Sequence, residues 1–189
     1  MRKRTSFITS DFEVREEGSH RKIEGYFIIF DEPTELWRGF YERISPDAVQ
    51  SLSDVRALYN HNHDLVLGST LNDTLTLEKD ERGIKGVITI NEKDSDAVNA
   101  YERIKRGDVK GCSFGFELLE ETYREMDDGS MEATVERLNL FEVSPCVFPA
   151  YPQTAISARQ KDLEAHQERL YRARKEALIA RHKEALNGA

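Results

Sequence analysis

The sequence predicts an α+β protein: mainly antiparallel strands forming a sheet or barrel, flanked by helices and followed by a long C-terminal helix. Three observations carry this expectation. Up to about residue 158 the chain runs in short stretches rich in aromatic and β-branched residues, separated by turn chemistry. Two segments among them carry helix-start signals instead. From about 158 the composition turns to Ala, Glu, Lys, Arg and Leu, residues of high helix propensity. The expected organisation is one domain over 1–157 and a charged helical tail over 158–189.

The strand candidates, in chain order, are KIEGYFIIF, YERI, ALYN, LTLE, GIKGVITI, CSFGFELLEETYREM and MEATVERLNLFEV. KDERG reads as a turn, and DDGS as a stronger one, with Asp128-Gly129 closing an antiparallel hairpin between the strand of Ser113 and the strand leading to Glu142. SPDAVQSLS predicts a short helix with Ser45 as its cap and Pro46 in its first turn. DSDAVNAYERIKRG predicts a second helix, with Ala97, Val98, Tyr101 and Ile104 on one face and Gly107 as its stop. The tail has only a weak apolar stripe of Leu163, Leu170, Ala177 and Leu178, so it reads as a helix that needs a partner surface.

Composition narrows the function. With 189 residues, 39% hydrophobic and 33% charged, the chain can build one ordinary core plus some polar sequence. A formal net charge of -8 argues against an electrostatic nucleic-acid binder. No stretch approaches the roughly 20 apolar residues of a membrane span, and the start of the chain lacks the apolar run of a signal peptide. The expectation is a soluble protein outside the usual secretory route. Two cysteines, Cys112 and Cys146, make no disulfide framework and are read as free thiols in a reducing setting.

The chemistry gathers in three places. In GDVKGCSFGFELLE, strand alternation puts Cys112, Phe114 and Phe116 on one face and Gly111, Ser113 and Gly115 on the other. Two glycines around a serine leave room for a backbone or a ligand to approach it, at a cost in strand stability that asks for a reason. NHNHDLVLG supplies His61 and His63, and histidine is the usual base for a serine nucleophile near neutral pH. A base needs a group to hold its ring, and Glu142 stands in line with Leu138 and Leu140, an apolar neighbourhood in which a carboxylate needs a cationic or hydrogen-bonding partner. Each signal alone has a plainer reading: a packed serine, a solvated histidine, a strand glutamate facing water. Zinc binding by the two histidines and two cysteines lacks the paired spacing of known sites, and KDSDA lacks the glycine and terminal glutamate of an EF-hand loop. No metal or cofactor is expected.

EGYFIIF, NHNHDLVLG, GCSFGF and LFEVSPCVFPAYPQT, in this order, resemble the prohead maturation serine proteases of tailed bacteriophages, which are similar in fold to herpesvirus assembly proteases. The resemblance covers roughly residues 20 to 157. It implies a barrel of the herpesvirus-protease type and a serine endopeptidase with Ser113 as nucleophile, His61 as base and Glu142 as the carboxylate that orients the ring. His61 is favoured over His63 because the family's histidine directly follows the asparagine. Two positions depart from the pattern: Ser69 stands where arginine is common, and Cys112 where methionine is common. The resemblance further implies the major capsid protein and a scaffold segment as partners, self-association, and neither nucleic acid nor membrane. The place implied is the host cytoplasm, inside the assembling prohead, with 158–189 a docking or self-cleaved segment. The alternative is a non-catalytic capsid-assembly binding module on the same fold.

Overall fold

The structure, a computed structural model, describes residues 2–9, 12–17, 20–148 and 153–187. Among these residues eleven strands precede and follow one helix: β1 (Arg2–Thr9), β2 (Glu13–Glu17), β3 (His20–Ile29), β4 (Thr34–Trp37), β5 (Phe40–Ile44), β6 (Arg56–Tyr59), β7 (Asn62–Ser69), β8 (Leu75–Lys79), β9 (Gly83–Thr89), helix α1 (Ser95–Arg106), β10 (Gly111–Glu125) and β11 (Met131–Cys146). A last helix, α2 (Gln153–Asn187), lies in a second unit, residues 152–189, separate from the unit formed by 1–151. Among its described side chains, Leu170, Tyr171, Leu178 and Ile179 are exposed.

Among the described residues the strands fall into two sheets rather than a closed barrel. One has the order β1-β10-β11-β5-β4, with β6 and β7 joined to it through β11; the other has the order β2-β3-β9-β8. The expected barrel is thus corrected to two open sheets. The physical reason lies in β11, which pairs antiparallel with β10 but parallel with both β5 and β6, so the chain enters the sheet by crossovers instead of a meander. Both sheets contribute to one core: Ile23, Phe27 and Ile28 of β3 with Ile84 and Ile88 of β9 from one side, Cys112, Phe114, Phe116, Leu138, Leu140 and Val143 from the other.

The turn chemistry behaves as read. Asp80 accepts the main-chain N–H groups of Arg82 and Gly83 and closes the β8–β9 hairpin. Asp128 does the same for Ser130, beside Gly129 at φ 81°, and joins β10 to β11. Asp94 caps α1 by accepting from Asp96 and Ala97, and Gly107 ends it in the left-handed region. The face that α1 buries is Ala97, Ala100, Tyr101 and Ile104. SPDAVQSLS is not a helix. Its backbone is used instead by β11: the Leu138 N–H donates to the Ala48 carbonyl and the Gln50 N–H to the Leu138 carbonyl, so a parallel bridge replaces helical bonds.

Candidate active site

The site is set by three irregular features on the face of the larger sheet turned away from the core. The first is a bulge. Leu140 pairs with Phe116 but Glu142 pairs with Gly115, so Phe141 is the extra residue. Simple alternation would leave Glu142 on the core face with Leu138 and Leu140. The bulge turns it over, and Glu142, Ser144 and Cys146 come to share the face of Gly115, Ser113 and Gly111, their respective partners on β10. The expectation that Glu142 stands in line with Leu138 and Leu140 is corrected by this one inserted residue.

The second feature is the space above Gly115. A Cβ there would lie 2.5 Å from Glu142 Oε1 and 2.7 Å from the Phe141 ring. The room that the glycine leaves is thus filled by the carboxylate, not by a ligand. Gly115→Ala is expected to destabilise the fold by about 1–3 kcal/mol and to displace Glu142, because neither neighbour is a loose side-chain end. A drop in melting temperature, together with loss of the His61–Glu142 contact read by NMR, checks this.

The third feature is the two-residue turn between β6 and β7. Asn60 and His61 both take positive φ, 52° and 58°, between the paired residues Tyr59 and Asn62. This is the backbone of a type I′ hairpin, which asparagine enters readily and histidine less so. Asn60 also stitches the turn to the end of β11: its N–H donates to the Pro145 carbonyl at 3.1 Å, and its Oδ1 accepts the Val147 N–H at 2.9 Å. Asn60, expected as the end of the strand candidate ALYN, is thus the first turn residue and the anchor of the histidine.

So anchored, His61 Nδ1 meets Glu142 Oε1 at 2.6 Å. The other carboxylate oxygen accepts from the Ser144 hydroxyl, also at 2.6 Å. Glu142 is 4% exposed and Ser144 fully buried, so the carboxylate has the partners that burial demands. Burial opposes the charged form of His61, but its interactions with Cys146 and Glu142 outweigh it, and the imidazole pKa is raised to about 10. His63 is exposed on β7.

Ser113 is 2% exposed, and its hydroxyl donates to the Ser6 main-chain carbonyl of β1 at 2.7 Å. Among the described residues no hydrogen bond joins it to His61. The structure brings His61 and Glu142 into contact and puts Ser113 on the same sheet face, with its hydroxyl turned toward β1 rather than β11. Cys112 points into the core, its sulfur toward the Phe27 carbonyl, and burial pushes its thiol well above the ordinary value. Ser69, where the motif departs from arginine, accepts the Leu71 N–H and caps the short 3-10 turn Thr70–Asn72. Among the described residues no group of three or more His, Cys, Asp or Glu side chains is arranged to hold a metal ion, and no helix is long and apolar enough to cross a membrane.

The family model for the caudovirus prohead serine protease matches residues 10–169. The chain belongs to that family. Membership makes it a serine protease of capsid maturation, and His61, Ser113, Glu142 and Ser144 lie within the matched segment. A solved structure, the bacteriophage T4 capsid assembly protease, is similar at 12% identity with a TM-score of 0.42, over 76% of this chain and 98% of that one. The comparison with curated proteins finds no match.

Proposed function

We propose that this member of the family is an endopeptidase that cleaves scaffold, or scaffold-like segments of the capsid protein, and its own chain inside the assembling prohead in the host cytoplasm. Ser113 is the nucleophile, His61 the base and Glu142 the carboxylate that fixes the imidazole. The observation that carries the reading is the 2.6 Å contact between His61 and Glu142 on the sheet face that holds Ser113. In the reaction Ser113 leaves the Ser6 carbonyl by rotation about χ1 and turns toward β11. Neutral His61 takes its proton as the oxygen attacks the scissile carbonyl, then returns the proton to the leaving amine; water resolves the acyl-enzyme by the same route. Glu142 holds Nδ1–H and stabilises the imidazolium that forms.

The kinship with herpesvirus assembly proteases belongs to the same proposal, as do the capsid and scaffold partners and self-association. The tail from about 158, with eight Lys or Arg against five Asp or Glu, carries about +3 against about -11 for the rest. That asymmetry suits a segment that docks on acidic partner surfaces and is trimmed afterwards. A non-catalytic binding module is the second reading, favoured by the burial of Ser113 and the engagement of its hydroxyl with Ser6. One experiment separates them. Wild type and Ser113→Ala are co-expressed with the capsid and scaffold proteins, and the products are mapped by mass spectrometry. Cleaved scaffold and a shortened protease chain are expected with wild type and neither with Ser113→Ala. Equal cleavage by both removes Ser113 as nucleophile, and no cleavage by either favours the binding module.

A further inference from the structure

We propose that Ser144 is a positioning residue for proteolysis, its hydroxyl holding the second carboxylate oxygen of Glu142 so that the first stays aimed at His61. The inference rests on the reading just given. A buried carboxylate with one donor is free to swing about its terminal bond, and its second oxygen would be an orphan acceptor. Ser144 prevents both. It lies two residues beyond Glu142 and, past the bulge at Phe141, on the same face, so its Oγ reaches Oε2 at 2.6 Å while Oε1 meets His61 at 2.6 Å. The chain of contacts therefore runs Ser144, Glu142, His61, with every carboxylate oxygen assigned a donor.

Ser144 is also the direct cross-strand partner of Ser113. Two serines side by side raise the question of which one attacks. The Ser144 proton is committed to a carboxylate oxygen rather than to a ring nitrogen, and the hydroxyl is fully buried. It is placed to hold the carboxylate, not to attack. Loss of the hydroxyl leaves Oε2 buried without a donor and concentrates negative charge on Oε1, which strengthens its hold on protonated His61. The pH at which the base becomes neutral therefore moves upward.

Full-length Ser144→Ala and Ser144→Cys are compared with wild type on a peptide spanning a cleavage site mapped from the wild-type products. Alanine removes the donor, while cysteine restores the bulk with only a weak donor. Expected for Ser144→Ala are a kcat lower by about 10- to 100-fold, KM within about twofold, and the limb of the pH profile displaced to higher pH. The His61 Nδ1–H resonance in 15N-histidine-labelled protein should also move. Ser144→Cys is expected to stay impaired. Full activity of Ser144→Ala, recovery by cysteine, or an unmoved resonance overturns the proposal. So does reaction of Ser144 itself with a fluorophosphonate probe in active enzyme. Should wild type cleave nothing, the reading of the site as proteolytic fails, while the resonance still decides whether Ser144 governs the Glu142–His61 contact.

Discussion

His61→Ala is expected to lower kcat/KM by about 10,000-fold or more, and His63→Ala to leave it within a few-fold of wild type. Only His61 sits in the positive-φ turn that Asn60 ties to the end of β11, and only His61 touches Glu142. His63 is exposed. Since alanine at φ 58° adds strain of its own, His61→Asn serves as a second inactive variant that tolerates the left-handed region. Circular dichroism and peptide hydrolysis, measured on the same preparations, separate folding from chemistry. Equal and severe losses from His61 and His63 in folded protein would sink the assignment of the base.

The second large effect belongs to Glu142→Gln. The amide donates where the carboxylate accepts, so the imidazole loses the tautomer that leaves Nε2 free to take a proton, and kcat is expected to fall on the order of 10,000-fold. The pH dependence of stability changes as well. The folded-state pKa of His61, about 10, lies above the ordinary value near 6.5. The stabilisation it contributes is therefore fully present below about 6.5 and is lost as pH rises through about 10. Wild type should show this loss in melting temperature between those limits, and Glu142→Gln a much smaller one. In activity the sign is opposite, because the base works only when neutral: wild-type kcat/KM of the free enzyme should climb with pH into the alkaline range. A wild-type profile already flat from pH 7 upward would contradict a strongly held imidazolium.

The strand, hairpin and helix signals that were legible are those set by local chemistry. Asp80, Asp128, Asp94 and Gly107 each act within a few residues of themselves, and each does what its side chain or φ allows. What failed is non-local. Pro46 and Ser45 promise a helix, but the backbone of Ala48 and Gln50 is claimed by Leu138, ninety residues on. The barrel failed for the same reason: nothing in the local pattern of MEATVERLNLFEV announces that it will pair parallel with two upstream strands. At the site, His61, Ser113 and Glu142 stand in the sequence as candidates through the resemblance, but the contact between His61 and Glu142 could not be read there. A period of two puts Glu142 on the wrong face, and only the extra Phe141 corrects it. Gly115 was readable as a gap, yet what fills the gap is a carboxylate from the neighbouring strand.

With Ser113 as the proposed nucleophile, its hydrogen bond to the Ser6 carbonyl turns readiness into an internal equilibrium of each molecule. A bond of this kind is worth about 1 kcal/mol net, so that roughly one molecule in six has its hydroxyl released at any moment, and the observed rate scales with that fraction. Acceptor and donor belong to one chain. The fraction is therefore first-order: it is the same for a dilute enzyme and for many copies packed within a shell, and crowding alone does not arm the protease. Only a change in the energy of that one contact, such as the approach of a substrate strand that offers the hydroxyl a better place to go, alters the proportion that is ready to cut.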